Sequence, residues 1–318
     1  MNPPAIAIKR YEPESKREWD EFVRDSKNGT FLFYRDYMEY HADRFRDNSY
    51  MIYLKGKLYC LLPATRKDDI LSSHAGLTYG GLVMSRECTA EGILEIFFEL
   101  IEELKREGVK KFIYKPVPYI YSSLPSQEDL YALFRFNAHI NYRNISTVID
   151  KESPIKISRL RRRSLEKAEI NNLEVIETFD AGEIWPVIEE NLRETYGAKP
   201  VHDVNEMKRL AALFPDNIKL YKVVKDSEIL CAGVFYITKN VVHAQYIHAN
   251  KKGKELGAVD AVVDYIVKSS SFPMRYFDFG TSNEDGGRIL NETLIHTKEG
   301  FGGRGVCYDC YEINIVGE

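Results

Sequence analysis

The turn Asn250-Lys251-Lys252-Gly253-Lys254-Glu255-Leu256-Gly257 has the residue types and spacing best suited to chemistry in this chain. It stands between a strand pattern, Val241 to Ala249, and a helical pattern that begins at Ala258. Free backbone N–H groups at a helix start attract phosphate, and three lysines add positive charge. Lys252, Gly253 and Gly257 are therefore candidate cofactor-binding residues, with a plain solvated turn as the alternative. His202 sits in Ala198-Lys199-Pro200-Val201-His202-Asp203, a loop between two predicted helices, where functional side chains concentrate. It is a candidate proton acceptor. Simple alternation along Val241 to Ala249 puts His243, Gln245 and Ile247 on one face, opposite Tyr246 and His248. Gln245 and His243 then either line one cleft or pack at an interface.

Other patterns are weaker. Lys156 to Lys167 is the densest charge run, with Ser153 and Pro154 before it suiting a helix start. Arg159, Arg162 and Arg163 share a helical face, and arginine forks suit phosphate. Arg162 is thus a candidate substrate contact, against a solvated linker helix or a tRNA contact. The loop Ser72 to Gly81 is polar and glycine-rich; it forms either one wall of a cleft, with Tyr79 facing the ligand, or an ordinary surface loop. Gly300 to Gly305 satisfies G-x-G-x-x-G, but a predicted helix (Ile289 to Thr297) precedes it and a strand (Val306 to Ile315) follows. That is the reverse of a dinucleotide fingerprint, so a helix-ending turn is expected. Cys307 and Cys310 lie three apart on that strand and face opposite sides, so no metal site is expected there. No Ser-His-Asp arrangement stands out.

The elements that must position these residues repeat. Tyr50 to Cys60 reads as two short strands around Lys55-Gly56-Lys57, and Lys219 to Cys231 reads as two strands around a polar turn. A helix follows each hairpin, with Leu94, Phe97, Phe98, Ile101 and Leu104 recurring at helical steps in the first, and Val259, Val262, Val263 and Ile266 in the second. Each helix leads to a strand, Lys111 to Lys115 and Arg275 to Phe279. Hairpin, helix, strand, twice over, argues for α/β architecture in two tandem units, roughly residues 1–150 and 151–318. The length of 318 residues also suits two domains, and 44 % apolar with 12 % aromatic residues supports a sizeable core. A net charge of −4 argues against a surface built throughout to grip nucleic acid. Met1 to Ile8 lacks signal-peptide features, no apolar run reaches membrane-span length, and the five dispersed cysteines suit a reducing compartment. A cytoplasmic protein without a transmembrane segment is expected.

The hairpin, basic glycine turn and helix resemble the core of the GNAT acyltransferases, whose donor turn reads Arg/Gln-x-x-Gly-x-Gly/Ala. With Lys252 at the first position and Gly257 at the last, Glu255 replaces the middle glycine, and a carboxylate there would repel a pyrophosphate. Two GNAT-like units, an Arg-rich helix between them and a closing Lys-x-x-Phe-Gly segment resemble the Fem-type aminoacyltransferases and their relatives. Lys298-Glu299-Gly300-Phe301-Gly302 matches that closing segment, and Tyr276-Phe277-Asp278-Phe279-Gly280 is similar to the family's Tyr-x-Asp-Phe-Gly strand. The long coiled-coil arm of some Fem enzymes has no counterpart, so envelope-polysaccharide acyltransferases on a Fem-like frame match as well as tRNA-dependent enzymes.

The resemblance implies mixed sheets flanked by helices, and acyl transfer to an amine of a sugar, sugar nucleotide or peptide precursor of the cell envelope. Lys298 would steady phosphate or negative charge, His202 or an ordered water would take the amine proton, and Gln245 and Ser282 would orient the acceptor. The donor would be acetyl-CoA or another acyl-CoA, or aminoacyl-tRNA, the one nucleic-acid partner in view, and no metal is needed. A degenerate pair of units that only binds a glycan or nucleotide is the non-enzymatic alternative, and Glu255 is the feature that favours it.

Overall fold

The computed structural model describes residues 6–315 and divides into two compact units. The first comprises the residues through Asn144, with Asp285–Ile289 and the residues from Cys307; the second is Ile145–Glu284 with Leu290–Val306. The units are therefore not the two contiguous blocks 1–150 and 151–318. The final strand, Arg304–Asn314, pairs antiparallel with Lys111–Tyr114, matching Tyr311 to Tyr114 and Ile313 to Phe112, and so returns the chain's end to the first unit. Sequence distance does not limit which strands pair, so contiguity was the wrong guide.

In the first unit, strands Ile6–Arg10, Tyr50–Leu54, Lys57–Leu62 and Val83–Met84 form an antiparallel sheet in that order. The helix Ala90–Arg106 starts where the Thr89 side chain accepts the Gly92 N–H, and it buries Ile93, Ile96, Phe97, Leu100, Ile101 and Leu104. Phe98, expected on the buried stripe, is 57 % exposed, because the apolar face is centred one position earlier.

In the second unit the strand order is His139–Asp150, Tyr276–Thr281, Val241–Ala249, Glu228–Ile237, Ile218–Lys225, Glu174–Thr178, the first strand entering at Ile145. Every adjacent pair is antiparallel except Val241–Ala249 with Tyr276–Thr281. Helices Arg159–Ile170 and Ala258–Lys268 cover one face, where Phe235, Phe277, Val262, Val263, Ile266 and Phe301 pack in one apolar cluster. Helix Ala181–Tyr196 covers the other face, with Trp185 edge-on to Tyr246 at 5.6 Å. The basic helix begins at Arg159, where Ser158 caps the Arg161 N–H, rather than near Ser153. Among the described residues no helix is long and apolar enough to cross a membrane.

The repeat is real in order but unequal in detail. In the second unit Cys231 pairs with Ala249 on the same strand whose start pairs parallel with Tyr276–Asp278. In the first unit Cys60 pairs with Met84, and the parallel partner of Lys111–Ile113 is Ile70–Ser72. One continuous strand in the second unit is thus matched by two pieces in the first, separated by Ser73 to Leu82. That inserted segment fills the space where the parallel strands end: Ser73 N–H donates to Ile113 O (2.8 Å) and Gly80 N–H to Lys115 O (2.7 Å). The second unit has no such insertion.

Candidate functional site

The two parallel strands of the second unit pair only at Val241–Tyr276, Val242–Phe277 and His243–Asp278. Each carries an irregularity just beyond. On one strand Val234 faces Tyr246 and Phe235 faces Ala244, so Gln245 is an extra, bulged residue. The bulge resets the alternation expected from sequence. Val242, Ala244, Ile247 and Ala249 pack toward the helix Ala258–Lys268, which leaves His243, Tyr246 and His248 together on the opposite face. His243 and Ile247, expected on one face, are on different ones.

On the other strand the pairing slips between Asp278 and Thr281. Gly280 has φ +75, a conformation that side chains resist, and its N–H donates to Asp278 Oδ1 at 2.9 Å. This turn frees the carbonyls of Gly280 and Thr281. Both accept from Lys298 Nζ, at 2.9 and 2.8 Å. Phe301, one turn beyond Lys298, lies 5.3 Å from the Phe279 ring. The Tyr-x-Asp-Phe-Gly strand and the closing Lys-x-x-Phe-Gly segment are therefore bonded at one place.

Asp278 is fully buried and joins the groups around it. The Ser146 hydroxyl and the Gly280 N–H donate to Oδ1, and His243 Nδ1 is 2.9 Å from Oδ2. A carboxylate only accepts, so Nδ1 carries a proton, and in the neutral ring this tautomer leaves the lone pair on Nε2. The order is Ser–Asp–His with the aspartate in the middle. Ser146 is committed to Asp278 and cannot be a nucleophile activated by His243. What the group can do is accept a proton at His243 Nε2 while Asp278 fixes the ring and stabilises the imidazolium. Burial pushes the Lys298 ammonium down to about 8, with the Asp278 carboxylate partly opposing the shift. Near neutral pH Lys298 is a cation with two of its protons held by the Gly280 and Thr281 carbonyls.

The remaining expected site residues fall elsewhere or take other roles. Ser282 adjoins this cluster, fully buried, its N–H donating to Ile145 O and its hydroxyl without a partner among the described residues. His202 is buried, with Nδ1 2.9 Å from the Tyr246 hydroxyl, and so packs on the face under Ala181–Tyr196 rather than beside Lys298. His248 contacts Asn191 Oδ1 at 2.9 Å, and burial pushes it down to about 4, which removes it as a cation at neutral pH. Tyr79 does not face a cleft: it is buried in the first unit, with its hydroxyl 3.2 Å from Thr30 Oγ1 and its ring against Phe33 and Tyr121. Arg162 is exposed, whereas Arg161 turns inward to Asp260 (3.2 Å) and lies 5.3 Å over the Phe301 ring. Cys307 is exposed and Cys310 buried, and among the described residues no three His, Cys, Asp or Glu side chains are placed to share a metal.

The basic turn is not an open phosphate cradle. Lys251–Leu256 is a short helix capped by Asn250, whose side chain takes the Gly253 N–H at 2.7 Å. A Cβ at Gly253 would fall 2.2 Å from Leu230 O, and one at Gly257 2.2 Å from Ser164 O. Both glycines are needed for backbone packing, and Lys252 pairs on the surface with Glu228. Glycine at these positions is thus explained without a ligand. Gly253→Ala should destabilise the protein by about 1–3 kcal/mol through overpacking, read as a lower urea midpoint.

What sequence reasoning undervalued was His243 and Ser146. The signal available for His243 was its place on the strand preceding the basic turn; for Ser146 there was none, since its partner is 132 residues away.

No protein-family model matches the chain, and no curated protein matches it. Solved structures do. The chain is similar to FemX (TM-score 0.67, 10 % identity, 97 % of each chain covered). It is also similar to L-PGS from Bacillus licheniformis (TM-score 0.63, 10 % identity, 98 % of this chain and 94 % of that one). A tandem GNAT protein from the clavulanic acid biosynthesis pathway matches at TM-score 0.51 and 9 % identity, over 98 % of this chain and 99 % of that one. At such identities the likeness establishes the fold, which is the Fem-like, GNAT-type α/β fold.

Proposed function

We propose that this protein is an N-acyltransferase whose acceptor is an amine on a sugar, sugar nucleotide or peptide precursor of the cell envelope. The observation that carries the reading is the Lys298 clamp on the Gly280 and Thr281 carbonyls beside the Asp278–His243 pair. The acceptor amine attacks the donor carbonyl and loses its proton to His243 Nε2, while Lys298 steadies the negative charge that develops. The donor's C–S or C–O bond then breaks, its thiolate or tRNA oxygen leaving with the proton returned by His243. In this reading His243 takes the place expected for His202. The fold shared with FemX, L-PGS and a tandem GNAT protein supports transfer chemistry as the class.

Aminoacyl-tRNA is the second donor reading. It is favoured by the closed, Asn250-capped turn with its packed glycines and exposed Glu255, and by the exposed side chains of Arg159, Arg162 and Arg163. Acyl-CoA remains the donor to test first. The full chain is incubated with radiolabelled acetyl-CoA, then with a labelled aminoacyl-tRNA, against amine-bearing envelope precursors. Label on an acceptor amine, lost in Lys298→Met, is the expected result. Label from aminoacyl-tRNA alone, lost on reversal of Arg162 and Arg163 to Glu and weakening with salt, assigns the tRNA donor. No transfer and no thermal shift with any donor overturns the enzyme reading and leaves a binding module.

A further inference from the structure

The first unit holds two thiols that the proposed chemistry does not use. Cys60 lies on the strand Lys57–Leu62, and Cys88 lies one residue before Thr89, the cap of helix Ala90–Arg106. Tyr59 brings them together. Its carbonyl accepts the Ser85 N–H at 3.0 Å and the Cys88 thiol at 3.2 Å, and its hydroxyl accepts the Thr89 N–H at 2.9 Å. The chain folds back from Ser85, and the Cys88 sulfur comes to rest 3.5 Å from Cys60 Sγ. A disulfide needs about 2.05 Å between its sulfurs, so small side-chain rotations close the gap. The two thiols differ in access. Cys60 is wholly buried, whereas Cys88 is 7 % exposed and lies between exposed Glu87 and Thr89, just under the surface. The hydrogen bond from Cys60, the Ser85 hydroxyl and the charge of Lys27 hold the Cys88 thiol below its ordinary range, while burial pushes the Cys60 thiol up.

We infer that Cys60 and Cys88 form a reversible disulfide when the protein meets a small peroxide, with Cys88 reacting first and Cys60 resolving it. The Cys88 sulfur, as thiolate, attacks one oxygen of hydrogen peroxide. The O–O bond breaks, and the released hydroxide takes up the thiol's proton as water. Cys88 is then a sulfenic acid. The Cys60 sulfur attacks Cys88 Sγ, the S–S bond forms, and the S–O bond breaks. The oxygen leaves as a second water, carrying the Cys60 proton. Two thiols give up two electrons in all, and one peroxide becomes two waters. The bridge ties a sheet strand to a helix start across 28 positions of sequence, and it encloses the inserted segment Ser73 to Leu82. Closing such a loop restricts the unfolded chain, so the oxidised first unit gains stability. The thiol pair lies in the first unit, and Lys298 and His243 in the second, so it stands independently of the transferase reading.

The test treats the reduced full chain with hydrogen peroxide, in a Cys307→Ser background that removes the exposed competing thiol. Free thiols are then blocked and the protein is digested without reductant. The expected product is a peptide pair joined through Cys60 and Cys88, lighter by two hydrogens than its parts and separated by dithiothreitol. Cys60→Ala should instead leave Cys88 as a sulfenic acid that dimedone traps. The bridged protein should unfold about 5–10 °C above the reduced one, a shift that Cys60→Ala does not show. Three results would each overturn the assignment. One is no bridge, whether the thiols stay free or carry oxygen adducts. Another is a bridge that forms only after unfolding in urea. The third is a Cys88 that dimedone never labels in Cys60→Ala.

Discussion

Lys298→Met is expected to lower the transfer rate by about 10²–10³-fold, the cost of losing one preorganised donor to a developing negative charge. The wild-type rate should also fall as pH rises through about 8, because that is where buried Lys298 loses its proton. Stability responds in the opposite sense. The ordinary value for lysine is 10.5, so between about 8 and 10.5 the unfolded chain holds a proton that the folded one has released. Folding is then favoured increasingly across that window, by up to roughly 3 kcal/mol in total from this group. In Lys298→Met that increment disappears. At pH 7 the variant escapes the cost of a buried cation but leaves the Gly280 and Thr281 carbonyls without their donor, each worth about 1 kcal/mol. These terms offset, so the variant should match wild type near pH 7 and fall below it near pH 10. Urea midpoints at the two pH values check this, and equal midpoint differences at both would refute the buried-cation account.

The second large effect concerns Asp278. Asp278→Ala leaves the Ser146 hydroxyl, the Gly280 N–H and the His243 N–H facing a void, and removes the contact that fixes the turn at Gly280. A loss of about 3–5 kcal/mol is expected, as for breaking other buried charged networks, and expression of soluble protein should drop. Asp278→Asn separates stability from chemistry. Its amide keeps an acceptor for Ser146 and Gly280, so most of the stability should remain. Its NH₂ group now faces His243 Nδ1, which drives the ring proton to Nε2 and removes the lone pair that would accept the amine's proton. Turnover should fall by roughly 10²–10⁴-fold, as when a buried orienting carboxylate is lost elsewhere. Histidine ¹⁵N shifts would show the tautomer change directly. A tautomer change without a rate change would leave Asp278 as purely structural.

Much of the architecture was legible in the sequence because it rests on short-range periodicity. Two hairpins, two amphipathic helices and the strands after them show in the spacing of apolar residues, and spacing is a property of neighbours along the chain. The helix-ending turn at Gly300 to Gly302 was legible for the same reason. The Lys298 segment and the Tyr276 to Gly280 strand could be singled out by resemblance, though not their contact.

The site's composition depended on tertiary structure at three points. Strict alternation placed His243 with Gln245 and Ile247, but the bulge at Gln245 inserts one residue and reverses the parity beyond it. The lysine-rich turn read as an open phosphate cradle; packing of Gly253 against Leu230 and of Gly257 against Ser164 shows what those glycines serve. Ser72 to Gly81 read as a cleft wall with Tyr79 outward, yet it is the insertion that fills the first unit's strand junction. The sequence by itself determined the elements and their order, since local propensity and periodicity suffice for those. Only the tertiary structure decided which polar groups meet, because Lys298 with Gly280 and His243 with Asp278 are brought together by strand divergence and bulges that leave no periodic trace in the chain.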